Sequence, residues 1–136
     1  MNTETKELIS KVPHVTLLFW IIKIFATTLG ETGGDALSMS LDLGYLLSTG
    51  IFALIFIAAV TVQIKATKFH PYLYWLTIVA TTTVGTTLAD YATRDMGIGY
   101  TGGSAILLTC VVISLVVWRW VMGTVAVESV STAKAE

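Results

Sequence analysis

The chain has 136 residues, of which 54% are hydrophobic and only 12% charged, with a net charge of −1 and a mean hydropathy of +0.78. One domain fits this length, but the balance excludes an ordinary soluble domain, in which each surface element needs a polar face. Lys and Arg are scattered, which leaves no basic field for nucleic acid, and the single cysteine, Cys110, excludes an internal disulfide, a paired-cysteine redox centre and a cysteine metal cluster.

Residues 1–14 carry Glu4, Lys6, Glu7 and Lys11 ahead of the first apolar block, and no small-residue cleavage site follows a short apolar core. They are expected to be a retained cytoplasmic segment rather than a signal peptide. Four apolar blocks follow. The first, about 15–36, contains Lys23, Glu31 and Asp35; the second, about 43–64, has no charge. The third, about 71–92, holds Asp90, and the fourth, about 104–122, is uncharged until Arg119. Each can cross a hydrocarbon layer of ~30 Å at about 1.5 Å per residue. The expected fold is therefore an all-α integral membrane protein with four transmembrane helices, short links at Ser38–Asp42, Lys65–His70 and Thr93–Gly103, and a tail over 123–136. Lys6, Lys11, Lys65, Lys68, Arg119 and Lys134 fall on one side, whereas Arg94 stands against Asp42 and Asp95 on the other. The positive-inside rule places both termini and the middle link in the cytoplasm.

The chain repeats itself. Shifting it by 55 residues without a gap places Leu18 on Leu73, Trp20 on Trp75, Thr27-Thr28 on Thr82-Thr83, Gly30 on Gly85, Thr32 on Thr87, Asp35 on Asp90 and Gly44-Tyr45 on Gly99-Tyr100. Apolar low complexity would match on Leu and Val instead. The repeats, 15–65 and 66–122, are each a two-span hairpin, so both enter the membrane in the same direction, related by an axis along its normal. Asp35 and Asp90 are then expected at similar depth near the extracellular side.

Trp20-Ile21-Ile22-Lys23, Ala26-Thr27-Thr28-Leu29-Gly30-Glu31-Thr32-Gly33-Gly34-Asp35 and Thr81-Thr82-Thr83-Val84-Gly85-Thr86-Thr87-Leu88-Ala89-Asp90-Tyr91 resemble a bacterial family of predicted membrane-anchored proteins. That family is built from a two-span tandem repeat of unknown function with a marker tryptophan. The resemblance covers nearly the whole chain and implies a bacterial inner-membrane location but no established activity. Typical members carry four copies where this chain carries two, which implies a homodimer.

Lys23, Thr27, Glu31 and Asp35 recur every four residues, a polar stripe that winds slowly around the first span, and Thr82, Thr86, Asp90 and Arg94 do the same on the third. Ionised groups facing lipid cost several kcal/mol, so Lys23 and Glu31 are expected to point into the bundle, with a partner from another helix or protomer. Glu31, Asp35 and Asp90, with threonine hydroxyls, offer hard oxygen ligands for a proton, Na⁺, Mg²⁺ or Mn²⁺. Structural alternatives are loop capping or solvation for Asp35 and Asp90, and a register-fixing salt bridge for Lys23 and Glu31. Gly30, Gly33, Gly34, Gly85 and Ala89 read as close-packing positions, and Trp20, Trp75, Tyr72, Tyr74, Trp118 and Trp120 as a cytoplasmic interface belt.

His14 and His70 lie at helix ends, unsuited to haem, and the chain has no phosphate loop, nucleophile–base pair or zinc-protease spacing. No enzyme activity and no resident cofactor beyond a bound cation are expected. The leading expectation is a small homo-oligomeric cation transporter in which Glu31, Asp35 and Asp90 bind the cation or carry protons and Lys23 is a mobile counter-ion. The alternative is a non-transporting membrane module for a partner protein or lipid. A redox helper ranks third.

Overall fold

In a computed structural model that describes residues 13–125, the chain is all-helical, with no strand among the described residues. Helix α1 spans Leu17–Asp35, α2 Tyr45–Lys65, α3 Pro71–Asp90 and α4 Gly99–Met122. Lys6, Lys11 and Lys134, which contribute to the expected orientation, lie outside the described residues.

Local chemistry sets the ends. The Thr16 hydroxyl accepts from the Phe19 amide at 3.2 Å, capping α1. Pro71 starts α3, where its missing N–H costs nothing, and it holds His70 extended. Gly123, left-handed at φ 73°, closes α4 with its amide on the Arg119 carbonyl at 2.9 Å.

The repeat is visible in the backbone. α1 continues into a π-helical turn, Ala36–Ser40, and α3 into another, Tyr91–Asp95. The same bonds close both: Leu41 N–H to the Ala36 carbonyl (2.9 Å) and Met96 N–H to that of Tyr91 (3.0 Å), then Leu43 to Leu37 and Ile98 to Ala92, each at 3.3 Å. Each turn is followed by a glycine at positive φ where the next helix starts: Gly44 (75°) is the cap of α2 and Gly99 (74°) the first residue of α4.

Residues 93–103 were expected to be a link, but α3 runs on through its π turn to Asp95 and α4 begins at Gly99, five residues before the expected 104. Of the glycines in this stretch, Gly97 and Gly99 take positive φ at the turn, whereas Gly103 has a packing role. A Cβ at Gly103 would strike Thr93 Cγ2, so the bare backbone lets the first turn of α4 nest against the second π turn.

α1 packs along α3, and so does α2, whereas α1 and α2 barely meet beyond the turn that joins them. The only extensive contact of α4 with another element is at the second π turn, and none of its most apolar window is buried. Two helices, α2 and α4, are long and apolar enough to cross a membrane. α1 and α3, expected as spans too, fall short because threonine, glycine and ionisable residues dilute their hydropathy.

The interior is small and hydroxylated. The buried residues include Ala26, Ala59, Ala80, Ser38, Ser48, Thr49, Thr83 and Thr87, while Leu17, Phe25, Leu54 and Trp120 are 71% or more exposed. This inverts the distribution of a water-soluble core.

Gly44, at φ 75° and ψ 162°, occupies a region essentially reserved for glycine. Gly44→Ala should therefore destabilise the fold by about 1–3 kcal/mol. A lower thermal midpoint in detergent, with Gly50→Ala unchanged, is the expected readout.

Candidate functional site

Ala26, Gly30, Gly34 and Ser38 follow one another at four-residue intervals along α1 and its π turn, and all four are buried. This small-residue stripe lies against α3. A Cβ at Gly30 would stand 3.0 Å from both Thr82 Cβ and the Val79 carbonyl, and one at Gly34 would stand 2.9 Å from Thr87 Cγ2. The absent methyls are what let the two backbones approach.

That approach permits a hydrogen-bond chain across three helices. Thr49 Oγ1 on α2 lies 2.8 Å from Thr87 Oγ1 on α3 and 2.7 Å from its own Tyr45 carbonyl, so its single proton is shared between them, and the Thr87 hydroxyl donates to the Thr83 carbonyl at 2.9 Å. Thr83 Oγ1 lies 2.9 Å from both the Gly30 carbonyl on α1 and its own Val79 carbonyl, so its single proton is shared between the two helices. Ser48, fully buried beside Thr49, has a hydroxyl with no partner among the described residues.

The residues expected to form an ion site stand apart from this chain. Glu31 is exposed, and Lys23, Thr27, Asp35, Thr82 and Thr86 are partly so. The hydroxyls of Thr27, Thr82 and Thr86 donate to carbonyls four residues back, those of Lys23, Ile78 and Thr82, each at 2.9 Å. Among the described residues no ion pair engages Lys23 or Glu31.

Asp90 is committed elsewhere. Its carboxylate pairs with Arg94 Nε at 3.2 Å, and Arg94 Nη1 donates to the Tyr45 hydroxyl at 2.8 Å with the guanidinium over the Tyr45 ring. The Asp90 carboxylate first, then the Tyr100 and Tyr45 phenols, hold the Arg94 guanidinium above its ordinary pKa. Asp35 has no such clamp, because Met39 stands where the second copy has Arg94.

The expected metal set of Glu31, Asp35 and Asp90 is not assembled within one chain. No three His, Cys, Asp or Glu residues among those described converge to hold a metal ion. The physical reason lies on α3: the Asp90 carboxylate is held by its own Arg94 and does not join Glu31 and Asp35, which share one face of α1. Two open grooves, one at Val62–Ala66 and His70–Leu73 and one at Leu115–Val125, have no expected site residue in their lining.

Sequence reasoning passed over Thr49, Thr83 and Thr87, because it followed the stripe carrying charge, Thr82-Thr86-Asp90, and not its neighbour one residue on. The glycine register of α1 was the available signal, since it identifies the face that needs a hydroxyl partner. Gly34→Leu should abolish the α1–α3 contact, overpacking that costs about 1–3 kcal/mol or more. Gly33→Leu, with nothing within 4 Å of its added Cβ, should be tolerated. Protease resistance of the two variants in detergent separates them.

A family model described as a Repeat of Unknown Function (DUF347) matches residues 18–69 and again 73–124, with starts 55 residues apart. No curated protein and no solved structure matches the chain. With two copies covering most of its length, the chain belongs to this family of repeats of unknown function.

Proposed function

We propose that the chain is a multi-pass protein of the bacterial cytoplasmic membrane, with all four helices crossing and both termini cytoplasmic, and that it moves a proton or monovalent cation along the polar stripe of α1. The membrane setting is supported by the inverted core: alanine, serine and threonine inside, with large apolar side chains such as Leu17, Phe25, Leu54, Leu76 and Val116 facing outward. In water such a surface would aggregate.

The single observation behind transport is the stripe Lys23, Thr27, Glu31 on a helix otherwise flanked by Ile21, Ile24, Phe25 and Leu29. Ionisable groups at that depth are costly and mark ion paths or proton relays. Glu31 is the carrier carboxylate and Lys23 the counter-ion: protonation or cation binding at Glu31 weakens its attraction for Lys23 and shifts the equilibrium between open states. A divalent metal is disfavoured, because the three carboxylates do not converge within the chain. Asp35 lies at the outer mouth, where it concentrates cations.

The pairing of Asp90 with Arg94 and Tyr45 favours a structural role at the outer end, tying α3 to α2. It also supports the second reading, a module that binds a partner or lipid without transport.

Purified protein in liposomes should carry proton or Na⁺ flux under an imposed potential. Glu31→Gln and Lys23→Met should each remove most of it, whereas Asp90→Asn should lower stability and leave residual flux in the folded fraction. Flux absent from the unaltered protein, or unchanged in Glu31→Gln, would sink the transport reading and leave the module.

A further inference from the structure

The described carboxylates all stand toward one end of the bundle. Glu31 and Asp35 lie in the last turns of α1, Asp42 in the link after it, and Asp90 and Asp95 at the end of α3. Between Asp42 and Asp90 the chain has no acidic residue, and Lys65, Lys68 and His70 fall together at the opposite end, where α2 finishes and α3 begins. Among the described residues no carboxylate pairs with either lysine. This concentration of positive charge belongs to the junction of the two repeats, because the counterparts of Lys65, Lys68 and His70 in the second copy are Trp120, Gly123 and Val125.

A groove of about 640 Å³ opens at the same junction, a volume within the usual ~300–1,000 Å³ of small-molecule sites. Lys65, His70 and Tyr72, the last 92% exposed, supply its polar groups, and Val62, Ala66 and Leu73 its apolar walls. The apolar surface continues away from the link. On α2, Ile55, Ala58 and Val62 share one helix face at three- and four-residue intervals, and all three are exposed; on α3, Leu76, one turn on from Tyr72, is exposed too. Ile55 to Val62 adds about 10 Å of apolar track. The surface thus passes from cationic at the helix ends to hydrocarbon one and two turns inward. A soluble anion would use the first part and leave the second bare, whereas an amphiphile with an anionic head matches both.

We propose that this groove binds one anionic phospholipid per chain. The phosphodiester sits between the ammonium groups of Lys65 and Lys68, with the His70 imidazole and the Tyr72 phenol donating hydrogen bonds, and an acyl chain lies along Ile55, Ala58, Val62 and Leu76. The bound lipid bridges α2 and α3 at the end opposite their Thr49–Thr87 contact. The other groove, at Leu115–Val125, differs: its one cationic side chain, Arg119, donates to the Gly123 carbonyl. The inference rests on the membrane setting proposed above and not on transport.

The test is native mass spectrometry of the full chain in mild detergent, supplied with phosphatidylglycerol or with phosphatidylcholine of the same acyl chains. One phosphatidylglycerol per chain should be retained, and phosphatidylcholine about tenfold less. Lys65→Gln combined with Lys68→Gln should reduce phosphatidylglycerol to the phosphatidylcholine level, with helix content and protease resistance in lipid-free detergent unchanged. Arg119→Gln should leave retention intact. Short-chain phosphatidylglycerol should be held less than the long-chain lipid, and excess inorganic phosphate should not displace the latter. Equal retention of the two lipids, an equal loss in Arg119→Gln, no dependence on acyl-chain length or displacement by phosphate would each overturn the proposal. The acyl-length and phosphate arms use the unaltered protein, so they decide the matter even where the double variant fails to fold. Selective retention without flux in liposomes removes the transport reading and keeps this one, whereas release of the chain from membranes by alkaline carbonate removes the setting on which both rest.

Discussion

Everything else in this structure depends on how closely α1 and α3 approach through Gly30 and Gly34. In the membrane setting proposed above, a helix pair gains nothing from burying leucine against leucine, because lipid would serve as well. What association gains is dispersion at short range and hydrogen bonds unavailable in hydrocarbon. Two missing methyls supply the short range, and Thr83 then reaches the Gly30 carbonyl across the gap. Thr87 and Thr49 extend the same bonding to α2, so three helices are held by one chain of hydroxyls.

This explains why the interior contains no large apolar side chain. Alanine, serine and threonine fill it because anything larger would separate the backbones and break the hydroxyl chain, while Leu, Ile, Val and Phe are displaced outward. The same logic places charge. Arg94 and Asp90 neutralise each other at the end of α3, and Tyr45 shares the guanidinium. Lys23 and Glu31 find no such ion pair among the described residues.

Two copies of one hairpin have thus been put to different uses. Their turns share the bonds that close the π-helical segments and the glycines at positive φ, and the first adds Gly44 N–H to the Ser38 carbonyl at 3.1 Å. Their surroundings differ, because α2 has a following repeat to lie against and α4 has none within the chain. Where the first copy has Lys23, Glu31 and Met39, the second has Ile78, Thr86 and Arg94. Ionisable groups within the helix belong to one copy, and the ion-paired outer end to the other.

Hydropathy blocks and the 55-residue repeat made the helices and their order legible in the sequence, because both are properties of the linear chain. Gly103 misled for the same reason: a local signal says that glycine permits a turn, and only the fold shows that Gly103 is bare to admit Thr93. The candidate site was legible as a list of charged and hydroxylated residues, but not as a set of neighbours. Which hydroxyl stripe is buried, which carboxylate is already paired and which faces remain open depend on the rotation of each helix against its neighbours. That rotation is decided by contacts between residues some fifty positions apart, Gly30 with Thr83 above all, and only the tertiary structure contains them.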